Sequence, residues 1–243
     1  MSKEALDEVI KPLIKNSVKL TLKADNSAVA ACCESKFGGL PYAVKGDIWP
    51  SCPTCKHELT FISQVMDESI GTLFVFYYCF ECFPWGLGDE EQGQWLIKQY
   101  NKPSTEQIIK ITRNTDDEYA LNPCKVISSN VLVLPDWEGL DSVSTEVSRL
   151  CSEIDDDSPW EIYDEAVEKA DCLNDYATLL GGYPRYVQGE ASHKCSECKS
   201  EMEFFAQIDS EDEANIMWGD VGLVYFFRCP KHKDKFQLEL QCH

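Results

Sequence analysis

Two sets of metal-binding side chains occur in this chain at spacings that suit tetrahedral zinc. The first set is Cys52, Cys55, Cys79 and Cys82, and the second is Cys195, Cys198, Cys229 and His232. Two thiolates separated by two residues lie on one tight turn, and a second such pair completes a tetrahedron around Zn²⁺. The sequence therefore predicts two zinc ions per chain, with His193 as an alternative fourth ligand of the second set.

Disulfides are the competing interpretation of these cysteines. The chain has 13 cysteines, an odd number, and residues 1–8 contain no charged-then-apolar signal segment. Both features favour a reducing compartment, where cysteine pairs bind metal more often than they form disulfides. No apolar run approaches the ~18 residues that a membrane span needs. We therefore expect a soluble, cytoplasmic protein with structural zinc.

The region around the first set occurs a second time, 143 positions later. Residues 38–65 and 181–208 align without a gap and have 11 identities in 28 positions. After seven inserted residues the alignment resumes, so that Cys79 corresponds to Cys229 and Cys82 corresponds to His232. The sequence therefore predicts an internal duplication in which each repeat carries one zinc knuckle.

Hydrophobic periodicity predicts a mainly β (α+β) fold. Alternating apolar residues predict strands in both repeats and at 18–22, 95–100, 108–113 and 126–134, and residues 84–93 have the composition of a loop. Helical spacing predicts a short N-terminal helix and a helical pair between the repeats. The second helix of that pair should begin with a Ser158–Glu161 capping box and stop at Gly181.

These elements predict one domain over residues 1–243. Its parts are a first zinc-binding repeat at 35–83, strands plus the helical pair at 84–180, and a second zinc-binding repeat at 181–243. We expect the two repeats to form similar lobes in a pseudo-twofold relation. The sequence does not predict the oligomeric state.

The charge of the chain limits the classes of partner. Asp and Glu number 42 against 22 Lys and Arg, a formal charge of −20. Thiolate ligation of two zinc ions would move the total to about −23, because each bound cysteine loses its proton. Such a protein repels polyanions and attracts basic partners at long range. Binding to a nucleic-acid backbone is therefore disfavoured, and a basic protein is the expected partner.

Catalytic motifs are not visible in the sequence. It has no Gly-x-Ser-x-Gly elbow, no phosphate-binding Gly-x-x-x-x-Gly-Lys loop and no His-Glu-x-x-His helix. Because we assign no catalytic residue, we expect a non-enzymatic protein. The alternatives are a zinc hydrolase and a thiol-dependent enzyme using Cys32 or Cys33.

Several motifs resemble the YwqG-like family of bacterial proteins. They are 35–41 (Ser-Lys-Phe-Gly-Gly-Leu-Pro), 49–50 (Trp-Pro), 61–64 (Phe-Ile-Ser-Gln), 180–184 (Leu-Gly-Gly-Tyr-Pro) with Gln188, 207–210 (Gln-Ile-Asp-Ser) and 218–227 (Trp-Gly-Asp-Val-Gly-Leu-Val-Tyr-Phe-Phe). This resemblance covers most of the chain and implies a mainly β, roll-like duplicated fold with no established biochemical function. Many members of that family lack the cysteine pairs, so zinc is predicted here from the residues alone.

The knuckles have a second resemblance. The order Lys36 to Pro41, Cys52-x-x-Cys55, Leu59-x-Phe61-x-x-Gln64, Leu73 to Phe76 and Cys79-x-x-Cys82 is similar to the programmed-cell-death-2 proteins of eukaryotes. Related ribosome-assembly members of that group chaperone a basic ribosomal protein. The resemblance, together with the charge, implies a zinc-stabilised chaperone of a basic client or an immunity-type inhibitor of a basic toxin.

Overall fold

The protein is mainly β with few helices. A computed structural model describes residues 3–86 and 91–243 of the chain. Of the loop predicted at 84–93, residues 87–90 therefore lie outside the described part. The helices are α1 (Lys3–Ile10), α2 (Leu140–Val143), α3 (Thr145–Ile154) and α4 (Pro159–Lys169). The strands are β1 (Lys15–Ala24), β2 (Lys36–Phe37), β3 (Thr60–Asp67), β4 (Thr72–Tyr78), β5 (Trp95–Asn101), β6 (Cys124–Val133), β7 (Leu179–Leu180), β8 (Glu203–Asp209), β9 (Leu223–Arg228) and β10 (Phe236–Gln241).

The chain divides into two compact units, each assembled from separate segments. The unit that contains the first predicted ligand set, here called the four-cysteine unit, comprises Thr21–Ile127 and Ser210–Met217. The unit that contains the second set, three cysteines and His232, is here called the three-cysteine unit and comprises Met1–Leu20, Ser128–Asp209 and Trp218–His243. Strands β1 and β6 each begin in one unit and end in the other.

The four-cysteine unit is built on antiparallel pairing of consecutive strands. Strand β2 pairs with β3, β3 with β4 and β4 with β5, and β2 also pairs with the first residues of β6. Every residue of β4 is buried, which explains its continuous apolar and aromatic sequence. Its alternate residues Leu73, Val75 and Tyr77 pack with Tyr42 and Leu59 against the first cysteine set. The core of this unit therefore continues directly into the predicted metal site.

The three-cysteine unit combines a sheet with helices. Strands β7, β8, β9 and β10 pair in order and antiparallel, and β1 pairs with β7. Helices α1, α3 and α4 enclose a separate apolar cluster that includes Leu6, Leu150 and Tyr163. Cys151 lies in that cluster and is fully buried, which fits the apolar helical face on which it stands in the sequence. A second cluster, formed by Tyr186, Met202, Leu223, Tyr225 and Phe227, packs against Cys195 and Cys229.

Three local predictions were wrong. Residues 108–113 form no strand; Ile109 N donates to Ala43 O at 2.9 Å, and the segment continues as a loop. Ser158 precedes α4 but makes no side-chain cap, and its amide donates to Asp155 Oδ1 at 3.2 Å. Helix α4 ends at Lys169, well before Gly181, which follows β7 in a turn with φ +73°.

No helix within residues 3–86 and 91–243 has the length and apolarity that crossing a bilayer requires.

Candidate metal centres

A tight turn positions the first cysteine pair. Cys52 N donates to His57 O at 2.8 Å, and Lys56 N donates back to Cys52 O at 3.0 Å. Lys56 adopts the left-handed conformation, with φ +68°, which closes the turn. Cys79 follows the last residue of β4, and its amide donates to Gln94 O at 2.9 Å. The end of β4 thus brings Cys79, and with it Cys82, to the pair of Cys52 and Cys55.

The sulfur positions of this four-cysteine centre suit a tetrahedral ion. Cys52 Sγ lies 3.7 Å from Cys82 Sγ, and Cys55 Sγ lies 3.5 Å from Cys79 Sγ. All four sulfur atoms lie within 4.8 Å of one another. Four sulfurs at about 2.3 Å from Zn²⁺ would be about 3.8 Å apart. A disulfide needs about 2.05 Å, and all 13 cysteines are free. The donor set therefore fits zinc.

The second set is positioned by the same local structure. Cys195 N donates to Ser200 O at 3.0 Å, Lys199 N donates to Cys195 O at 2.9 Å, and Lys199 has φ +57°. Cys198 Sγ lies 3.6 Å from Cys229 Sγ, and Cys195 Sγ lies 3.5 Å from His232 Nδ1. A tetrahedral zinc with one imidazole requires about 3.6 Å between sulfur and nitrogen. This three-cysteine centre therefore also fits zinc.

The structure separates the two histidines that the sequence left as alternatives. His232 lies with Cys195, Cys198 and Cys229, and their ligand atoms are within 4.8 Å of one another. His193 Nε2 instead lies 2.8 Å from Glu239 Oε2, and its ring packs 4.7 Å from that of Phe227. The side chain of His193 therefore contacts Glu239 of β10, and His232 is the histidine placed to complete the set.

The electrostatic environment favours the thiolate form of cysteines in both centres. Burial raises the pKa of Cys52, but the amides of Cys55 and Thr54 point at its sulfur, and the net pKa is about 7. The amide of Cys198 and the imidazole of His232 lower the pKa of Cys195 to about 6. Burial raises the pKa of Cys82 to about 11. Metal binding would therefore have to displace the proton of Cys82 at neutral pH.

A cleft of about 410 Å³ beside the four-cysteine centre was missed by sequence reasoning. Its lining residues are His57, Glu58, Thr60, Cys79, Phe80, Glu81, Arg113 and 115–119. The two segments that form it lie far apart in the chain, at 57–81 and 113–119. The acidic composition of 116–118 is visible in the sequence, but nothing in the sequence places it beside Phe80.

A larger cleft of about 740 Å³ lies in the three-cysteine unit. Two of its lining residues are in contact, with Lys15 Nζ 3.8 Å from the centroid of the Tyr183 ring. The carboxylate of Asp136 accepts from the amides of Gly139 and Tyr186, and burial raises its pKa. These bonds tie Asp136 to the backbone of the cleft wall.

The remaining residues singled out in the sequence have structural contacts. Gln64 and Gln207 are fully buried: Gln64 Oε1 accepts from Tyr42 N at 2.7 Å, and Gln207 Oε1 accepts from Arg185 N at 2.9 Å. Both glutamines are therefore hydrogen-bonded, as buried polar side chains usually are. Cys32 and Cys33 are half-buried, and Cys32 Sγ lies 3.7 Å from Glu34 O.

The family match covers most of this structure. A family model described as a domain of unknown function, DUF1963, matches residues 35–233 and so includes both centres. No curated protein matches the chain.

Proposed function

The chain belongs to the DUF1963 family of domains of unknown function, and we propose that it is a zinc-stabilised, non-enzymatic module that binds a basic protein. The observation that carries this proposal is that each candidate centre has four protein donors within 4.8 Å of one another. Catalytic zinc keeps one position open for water or substrate, whereas structural zinc is fully ligated by protein. Both donor sets have the four protein ligands that are typical of structural zinc.

Zinc in these centres would act on folding. Each ion would fix a turn to the end of a strand, at Cys79 in one unit and at Cys229 in the other, with four metal–ligand bonds. Both of these cysteines also belong to the apolar clusters of their units. Metal binding and core packing would therefore stabilise the same part of each unit.

The net charge supports a basic partner. A formal charge of −20 on 243 residues accelerates encounter with cationic proteins and disfavours polyanions. We therefore propose a chaperone of a basic client or an inhibitor of a basic toxin, acting in the cytoplasm. The resemblance of the knuckles to programmed-cell-death-2 proteins supports the chaperone alternative.

We further propose that the two centres arose by duplication within a YwqG-like β-roll fold, in lobes related by a pseudo-twofold axis. Several features separated by 143 positions support the duplication. The β3–β4 register shifts between Phe61 and Ser63, and the β8–β9 register shifts between Phe204 and Ala206. The buried pair Gln64 and Gln207 and the left-handed pair Lys56 and Lys199 have the same separation.

The proposal is tested by affinity purification of the tagged, zinc-loaded protein from its own cells at low salt. We expect one basic protein at a ratio near one to one, released as salt rises, because screening weakens association between exposed charges. The complex reassembled from purified components should then lose affinity steeply between 50 and 500 mM salt, because the Debye length shortens roughly threefold over this range. A dissociation constant that stays flat over this range would contradict the proposal.

A further inference from the structure

We propose that the cleft beside the four-cysteine centre, here called the acid–aromatic cleft, receives an arginine or lysine side chain of the basic partner. This inference rests on the function proposed above and specifies the contact that would carry it. The cleft has a volume of about 410 Å³, within the range of small-ligand pockets, and all its lining residues belong to the four-cysteine unit.

Two aromatic rings form one wall of the acid–aromatic cleft. The rings of Phe80 and Tyr119 are stacked, with centroids 5.3 Å apart and planes inclined by 28°. Tyr119 is 40% exposed, so its ring is accessible from solvent. A cation within about 6 Å of such a ring is attracted by its quadrupole, and arginine can also stack on it with its planar guanidinium. The wall therefore suits a flat cationic group.

The rest of the cleft is negatively charged. Five carboxylates line it, from Glu58, Glu81 and 116–118, against one guanidinium from Arg113, which leaves a formal charge of −4. The charge of Arg113 is already paired, because its Nη1 contacts the carboxylate of Asp117. Glu81 is 38% exposed at its side chain, and Asp116 and Glu118 are exposed. Four thiolates on Zn²⁺ would add a charge of about −2 next to Cys79, a lining residue.

Hydrogen bonds hold the cleft in its open shape. Asp117 Oδ1 accepts from Thr60 Oγ1 at 3.0 Å, which ties the 113–119 loop to the start of β3. The carboxylate of Glu58 accepts from Asn114 N at 2.8 Å and from Thr115 N at 3.2 Å. The side chains of Glu58, Arg113 and Asp117 are each no more than 14% exposed. Because these walls are fixed in advance, a bound side chain would not have to order them.

The corresponding positions of the three-cysteine centre carry different chemistry. In the alignment of Cys79 with Cys229, Pro230 replaces Phe80 and Lys231 replaces Glu81. An aromatic residue and an acid of the first knuckle are thus a proline and a base in the second. The cation-binding surface is therefore assigned to the four-cysteine centre alone.

The test is a titration of the zinc-loaded full-length protein with Nα-acetyl-arginine methylamide at low salt, followed by amide NMR. The citrulline analogue, which has nearly the same shape and no charge, serves as the control probe. We expect shifts confined to residues 57–60, 79–81 and 115–119 with the arginine probe only. The lysine probe should bind the same residues more weakly, because it lacks the planar guanidinium.

Four substitutions locate the binding. Tyr119→Ala should weaken the arginine probe roughly threefold to tenfold by loss of the ring, and Tyr119→Phe should restore it. Glu81→Lys should weaken the probe by at least as much; the second knuckle already holds Lys231 at this position, so the turn tolerates it. Asp156→Lys makes the same charge change at an exposed residue between α3 and α4 and should leave binding unchanged. Native mass spectrometry would verify two zinc ions in each variant.

Shifts spread evenly over acidic residues of both units, equal binding of citrulline, or no shifts at all would overturn the inference. If Tyr119→Ala and the unchanged protein recover a basic protein at equal yield, the cleft is not the binding site, but the proposed function stands. An empty low-salt purification, together with probe binding in the cleft, would support the cleft and overturn the proposed function.

Discussion

Removing one ligand from each centre tests the metal prediction most directly. Cys55 and Cys198 occupy equivalent positions 143 residues apart and are half-buried, so replacing either sulfur by oxygen leaves no large cavity. Each belongs to a four-donor set with sulfur neighbours at 3.5 to 3.6 Å. We expect Cys55→Ser and Cys198→Ser each to reduce the zinc content from two ions to one. The cause is the loss of one of four bonds in a site that has no spare donor.

The expected stability effect is large and local. Structural zinc contributes about 10–16 kcal/mol to folding in small sites, while a whole domain is stable by only about 5–15 kcal/mol. A unit that loses its ion should therefore lose most of its protection against amide exchange. In Cys55→Ser the loss should fall on β3 and β4, and in Cys198→Ser it should fall on β8 and β9, because those strands carry the respective cores.

The assay combines native mass spectrometry with hydrogen exchange resolved by peptide. Cys242→Ser is the matched control, since Cys242 is also half-buried but lies outside both donor sets. It should keep two zinc ions and unchanged protection. The reasoning is refuted if either ligand variant still holds two ions, or if the metal-free protein keeps full protection in all four strands.

Three further predictions concern the fold. Gln64→Ala should cost about 2–4 kcal/mol in urea unfolding, because it removes three hydrogen bonds of a fully buried side chain, each worth roughly 1 kcal/mol. A cost below about 1 kcal/mol would contradict this. Lys36 is 1% exposed, and burial lowers its pKa from 10.5 to about 8. Between pH 8 and 10.5 the unfolded chain therefore binds more protons than the folded one, and the free energy of unfolding, relative to that of Lys36→Met, should rise by about 2–3 kcal/mol. A difference that does not depend on pH would refute this. Both Gly181 and Gly182 have positive φ, at +73° and +86°, but only at Gly182 would a Cβ clash, 2.6 Å from Val133 Cγ2. Gly181→Ala should therefore cost about 1–2 kcal/mol and Gly182→Ala at least 1 kcal/mol more, and equal melting temperatures would argue against the close approach.

The two clusters of candidate ligands could be predicted because their geometry is local. Two residues between cysteines fix a turn, and the alignment of Cys79 with Cys229 pointed to His232 without any three-dimensional information. The acid–aromatic cleft could not be predicted, since residues 113–119 reach Phe80 only through the tertiary bonds of Glu58 and Asp117. Tertiary contacts also explain the wrong strand at 108–113, where apolar alternation is present but Ile109 bonds singly to Ala43.

The segmented make-up of the two units has a consequence for synthesis on the ribosome. The four-cysteine unit includes Ser210–Met217, and Asn122 N donates to Ala214 O at 2.9 Å within it. All four cysteines of its centre emerge more than a hundred residues before that segment. Zinc could therefore bind a nascent chain whose unit is still incomplete, and a ribosome stalled before residue 210 would display a metal-loaded but unfinished unit. Neither unit can be released by a single proteolytic cut, because the segments of the two units alternate along the chain.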